Sequence, residues 1–183
     1  MLARLSIRDI VLIERLDIEF ASGLAVLTGE TGAGKSILLD AFALALGGRG
    51  DAGLVRHGAE QGQVTAAFEV SRSHPASAIL AANDIDNSMS EESGEMILRR
   101  VQLADGRTRA FINDQPISVQ TLKAVGAFMF GLFGLILVGV GLFGAPELTT
   151  QTLGLNMNLG LGFVLLAFSA FMLSTFYFSK KSK

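Results

Sequence analysis

Eight consecutive residues, Gly29-Glu30-Thr31-Gly32-Ala33-Gly34-Lys35-Ser36, constrain this chain more than any other feature in it. They match G-x-x-x-x-G-K-[ST] in full, a pattern that belongs between a strand and a helix. The flanks supply both. Leu24-Ala25-Val26-Leu27 is a short continuous apolar run, as in a strand covered on both faces. From Lys35 onward, Ile37, Leu38, Ala41, Phe42 and Ala45 recur at helical spacing, and Gly47-Gly48 stops that helix. The glycines let the loop wrap so that backbone N–H groups converge on an anion. The start of the helix adds the positive end of its dipole. Lys35 is placed to neutralise the β- and γ-phosphates of a nucleotide, and the Ser36 hydroxyl to ligate Mg²⁺.

The rest of the first two-thirds reads as strands and turns. Leu5 and Ile7, then Leu16, Ile18 and Phe20, alternate with polar residues, as do Val64, Ala66, Phe68 and Val70. Ile97 to Leu103 and Thr108 to Ile112 flank Ala104-Asp105-Gly106-Arg107, a hairpin signal. Between these, Ser71 to Glu95 is polar and irregular, with a short helix expected near Ala76 to Ala82 and a solvated acidic loop after it. The N-terminus is not a signal peptide, because Arg4, Arg8, Asp9, Glu14 and Arg15 interrupt its apolar runs. With no cysteine, disulfides, thiolate metal sites and a cysteine nucleophile are excluded.

The last third is a different material. Of the 32 charged residues, 28 lie in positions 1 to 123. Ala124 to Pro146 holds no charged or hydrogen-bonding side chain, and Leu159 to Phe178 has only Ser169, Ser174, Thr175 and Tyr177 as polar members. Each run is long enough to cross a hydrocarbon core of about 30 Å as a helix. Lys123 precedes the first run; Lys180, Lys181 and Lys183 follow the second; the link between has no Lys or Arg. That pattern predicts a membrane hairpin, spans about 125–146 and 159–178, with both ends cytoplasmic in the bacterial inner membrane. Small residues Ala127, Gly131, Gly134, Gly141 and Ala145 share one face of the first span and permit close packing on the second.

The stretch from Leu24 to Leu38 closely resembles the P-loop of the RecN family, repair ATPases of the structural-maintenance-of-chromosomes (SMC) type with an ABC-like head. Leu5-Ser6-Ile7-Arg8-Asp9-Ile10-Val11-Leu12-Ile13-Glu14, Leu46-Gly47-Gly48-Arg49, Val55-Arg56-His57-Gly58 and Ala110-Phe111-Ile112-Asn113-Asp114-Gln115-Pro116 also look like that family. The resemblance runs to about Gly126. It implies ATP and Mg²⁺ as cofactors, DNA as a partner and a role in double-strand-break repair and recombination. It carries the nucleotide-binding role onto Gly29, Glu30, Thr31, Gly32, Ala33, Gly34, Lys35 and Ser36, with Lys35 as the catalytic cation and Ser36 at the metal. Arg8, Arg49 and Arg56 become further candidates for nucleotide contact.

The family's later elements, namely the glutamine-containing loop, coiled coil, ABC signature, Walker B acidic pair and switch histidine, have no counterpart here. The resemblance therefore implies a truncated head that needs a second head, through a homodimer or the missing C-terminal half, to complete hydrolysis. The expected fold is α/β: a partial P-loop ATPase lobe with a mixed sheet over residues 1–124, then the two-helix transmembrane hairpin over 125–183. Two rival readings are a membrane-anchored P-loop nucleotide-binding protein and a non-native fusion without independent function.

Other signals are weaker. Arg99, Arg100, Arg107 and Arg109 cluster on the predicted hairpin and suit either DNA phosphates or an ordinary charged edge strand. His57 and His74 lack the spacing of a metal site, and Asp84, Asp86, Glu91, Glu92 and Glu95 miss the EF-hand pattern.

Overall fold

A computed structural model describes residues 1–21, 33–71, 74–82, 85, 93–143, 151–152 and 155–181. The chain divides into two compact units, Met1–Leu122 and Lys123–Lys183.

In the first unit the strands are β1 (Leu2–Ile10), β2 (Ile13–Glu19), β3 (Gln61–Ser71), β4 (Ser93–Leu103), β5 (Thr108–Ile112) and β6 (Gln115–Ile117). They form one sheet in the order β2-β1-β3-β4-β5-β6. All five ladders are antiparallel. This corrects the expected mixed sheet: the described strands are joined largely by tight turns, and these return the chain antiparallel. The apolar run Leu24 to Leu27, which would carry any parallel pairing, lies outside the described residues.

Register explains the burial. Leu5 pairs with Ile18 and Ala66, and Ile7 with Leu16 and Val64. Ala66 in turn pairs with Leu98, and Leu98 with Ile112. Cross-strand partners share a face, so these residues form one apolar layer. Ile7, Val64, Ala66, Leu98 and Ile112 in it are fully buried. The helix α1 (Ala33–Ala45) packs against β1, β3 and β4. It buries Ile37, Ala41, Leu44 and Ala45, one stripe at helical spacing. Phe42 meets Phe68 with ring centroids 6.3 Å apart.

The predicted stop of α1 is a Schellman turn. Gly47 takes φ +93°, Gly48 N–H donates to Ala43 O at 2.7 Å and Gly47 N–H to Leu44 O at 3.1 Å. A single 3-10 turn, Ala52–Leu54, follows. Its Leu54 O accepts from Val11 N–H at 2.9 Å, tying the segment after α1 to the β1–β2 turn. The helix α2 (Pro75–Ala82) lies where a short helix was expected. The β4–β5 hairpin also forms as predicted: Gly106 sits at φ +87° and donates to Leu103 O at 3.0 Å.

The second unit contains most of α3 (Val119–Phe143) and, after the two short strands β7 (Gln151–Thr152) and β8 (Leu155–Asn156), α4 (Met157–Lys181). α3 and α4 run antiparallel and close together. A Cβ on Gly134 would lie 3.0 Å from Gly162 O, and one on Gly141 would lie 3.0 Å from Leu159 N. Buried Ser169 donates its hydroxyl to Ala127 O at 2.7 Å, and Phe130 meets Phe168 edge-on at 5.4 Å. Among the described residues one helix, Val119–Phe143, is long and apolar enough to cross a membrane, with mean hydropathy 2.4. The second expected span falls within α4, whose described apolar stretch is Asn158–Ser174.

Candidate nucleotide-binding site

Of the eight motif residues, Gly29, Glu30, Thr31 and Gly32 lie outside the described residues. Ala33 opens α1, so Ala33, Gly34, Lys35 and Ser36 form its first turn. Gly34 and Ser36 are exposed and Lys35 is half-buried. The first N–H groups of a helix have no partner within it, and this end carries the positive pole. No acidic side chain stands in that turn to compete with an anion. Among the described residues, nothing lies within 4 Å of a Cβ added to Gly34. A cationic side chain, a hydroxyl and backbone amides on one helix end are the donor set that a nucleotide's phosphates and a magnesium ion require. Behind this turn, Ile37, Ala41 and Leu44 anchor α1 in the sheet's apolar layer, which fixes the helix end.

The three further arginine candidates are dispersed. Arg8, on β1, pairs with Asp17 at 3.6 Å. Ser6 and then Arg15 hydrogen-bond that carboxylate and hold its pKa below the ordinary carboxylate value. Arg56 pairs with Asp9 at 2.7 Å and reaches Glu14 at 3.9 Å. That guanidinium closes the clamp between the β1–β2 turn and the segment after α1. Arg49 is exposed on that segment.

The hairpin arginines do not form one surface. Arg100 pairs with Val64 and Ala110, inside the apolar layer, and is 1% exposed. Arg99 lies on the opposite face, 4.1 Å over the Phe111 ring and 2.9 Å from Asp114. Arg107 pairs with Asp105 across the turn. Only Arg107 and Arg109 of the four are exposed. Two corrections follow. Arg100 cannot meet DNA phosphates, because strand alternation turns it into the core. β4 is also no edge strand, because β3 and β5 flank it.

Of the acidic loop, Asp84, Asp86, Glu91 and Glu92 lie outside the described residues, and Glu95 pairs with Arg4 at 3.1 Å. No group of three metal-ligating side chains occurs among the described residues. His74 is a helix cap: its Nδ1 accepts from Ala76 N–H at 3.1 Å at the start of α2.

Sequence reasoning passed over Asp9 and Asp51, which organise the turns beside α1, and the buried pair Arg100 and Gln102. A signal for the pair was present. Both lie in phase with Met96 and Leu98, so alternation alone assigns them to the covered face.

Comparison with known proteins places this chain in a family. The AAA domain family matches residues 4–125. The DNA repair protein RecN of Vibrio cholerae is 42% identical over 134 residues, which are 73% of this chain and 23% of that protein. RecN of Haemophilus influenzae is 40% identical over 134 residues, 73% of this chain and 24% of its own length. The chain thus spans about a quarter of the length of these relatives. Among solved structures, an SMC ATPase described for ATP-driven dimerization and DNA-stimulated activation superposes with a TM-score of 0.51 at 21% identity. That match covers 70% of this chain and 79% of the other. At that identity the match speaks for the fold alone, an SMC-type ATPase head with an antiparallel sheet. The chain belongs to the AAA domain family and, within it, is a RecN-type ATPase-head segment.

Proposed function

We propose that the Gly29–Ser36 loop binds ATP with Mg²⁺, and that the chain serves as the nucleotide-binding part of a RecN-like machine of DNA double-strand-break repair. The observation that carries this is the first turn of α1: Lys35 and Ser36 sit on a helix end with no acidic side chain in the turn and, among the described residues, nothing close in front of Gly34. In this reading the amides of the loop cradle the phosphates. Lys35 offsets charge on the β- and γ-phosphates, and Ser36 holds the metal. Catalysis by such a site is positioning and charge neutralisation. A second ATPase head supplies the groups that polarise the attacking water, and DNA is the partner whose binding the cycle serves. The lobe works in the cytoplasm.

The experiment is thermal unfolding of the whole chain with and without magnesium-ATP. At about a hundredfold excess over Kd, a ligand specific for the native state stabilises by about 2.7 kcal/mol. The wild type therefore gains several degrees. Lys35→Ala, which removes the motif's only cation, gains almost nothing. An equal gain in both proteins contradicts the site.

One observation favours a second reading for the last third, a membrane hairpin. Phe133, Leu135, Ile136, Leu142 and Phe143 on α3, and Leu161, Phe163, Val164 and Phe171 on α4, are exposed. Such an apolar exterior suits lipid.

A further inference from the structure

The core of the first unit contains a charge with no counter-charge among the described residues. Arg100 is 1% exposed, and its Nε and Nη1 have no hydrogen-bond partner. Gln102, two residues on and on the same face, is fully buried with its Oε1 unpartnered. Burial alone pushes the Arg100 pKa down. Native proteins rarely leave such groups orphaned, since an unpaired buried charge is among the most destabilising features a core can hold.

The acidic residues of the neighbouring strands cannot answer it. Asp17 pairs with Ser6, Glu19 with Arg4, and Glu69 with Glu95, all on the opposite face. The covering element is the segment after α1. Arg100 Nη2 lies 3.7 Å from where a Cβ on Gly50 would be, and that Cβ would collide with Gln102 Oε1. The next residue is Asp51. It is exposed and spends its carboxylate on the 3-10 turn, accepting from Gly53 N–H at 2.7 Å. The segment Gly47-Gly48-Arg49-Gly50-Asp51-Ala52-Gly53 has four glycines in seven residues. It is well suited to a second backbone path.

We infer that residues 47–53 are a strap with two positions, and that in the second the Asp51 carboxylate leaves its turn and pairs with the buried Arg100 guanidinium. In that position a carboxylate oxygen gives Arg100 Nη1 an acceptor, in a charge-assisted hydrogen bond. Gln102 Oε1 faces the incoming backbone and accepts one of its amides. Arg49 moves with the strap, since only Gly50 separates it from Asp51. In the position described above Arg49 is exposed; with the strap drawn in, it is shielded.

Trypsin cleavage after Arg49, followed on the intact folded chain, reads the two positions. Asp51→Asn and Asp51→Ser both remove the charge, and serine keeps a good capping oxygen. The drawn-in position holds at least half of the population, so each variant is cut at least about twofold faster than wild type. In an Arg100→Met background, Asp51→Asn leaves the rate unchanged, because the partner is gone. Cleavage of Asp51→Ser at the wild-type rate means that Asp51 only caps the turn, and overturns the proposal. So does an equal acceleration by Asp51→Asn with and without Arg100. The serine variant decides the matter by itself if Arg100→Met fails to fold.

Discussion

In the proposed site Lys35 and Ser36 act through charge, a hydroxyl and their place on a helix end, all of which a short run of letters specifies. His74 is different, since its role came from the fold. Its Nδ1 caps α2 and must be unprotonated to accept the Ala76 N–H. Burial, and then the positive N-terminus, hold its pKa below the ordinary 6.5. The unfolded chain therefore takes up the proton first. This contribution to stability is complete above the unfolded value and is lost as pH falls toward the folded one. Urea midpoints at about pH 7.5 and 5.5 should show wild type losing stability on acidification, by up to about 1 kcal/mol for the cap. His74→Ser keeps an acceptor that does not titrate and should lose less; an equal loss contradicts the cap. The arginines teach the same lesson. Arg99 and Arg100 are adjacent in the sequence, yet one lies over Phe111 and the other under α1's side of the sheet. A cluster counted along the chain merged two faces that the pleat separates.

Elements with a local cause were legible. The Asp-Gly hairpin, the glycine stop of α1 and the alternation in β3 follow from turn chemistry and period, and each appears where expected. Sheet direction was not legible, since pairing between β1 and β3 joins residues some sixty apart and no local pattern encodes it. In the second unit the small residues of α3 set the helix spacing. Gly134 faces Gly162 O and Leu165, and a Cβ there would already touch both. Gly134→Leu should push the helices apart and destabilise the pair by about 1–3 kcal/mol, as overpacking does. Gly139→Leu, at a position open to 4 Å, is the control and should be tolerated. Similar melting of the two variants would show that close approach at Gly134 is unimportant.

At the scale of the molecule, two compact units divide near Leu122, and their surfaces differ in kind. The first carries most of the chain's charged residues; the second exposes large apolar side chains along both helices. Fractionation of the expressed whole chain tests the membrane reading. The chain should sediment with membranes and resist high salt and alkaline carbonate. Recovery as a soluble, folded protein contradicts the hairpin while leaving the P-loop untouched. The central claim concerns the other unit, whose site draws on half a motif at the start of α1 and on a family resemblance over residues 4–125. Titration calorimetry of the folded whole chain with ATP, in magnesium and then in EDTA, tests it most directly. Saturable uptake at one site per chain, weakened without the metal and absent in Lys35→Ala, is the expected result. No heat of binding from well-folded wild type, or uptake indifferent to both magnesium and Lys35, contradicts it.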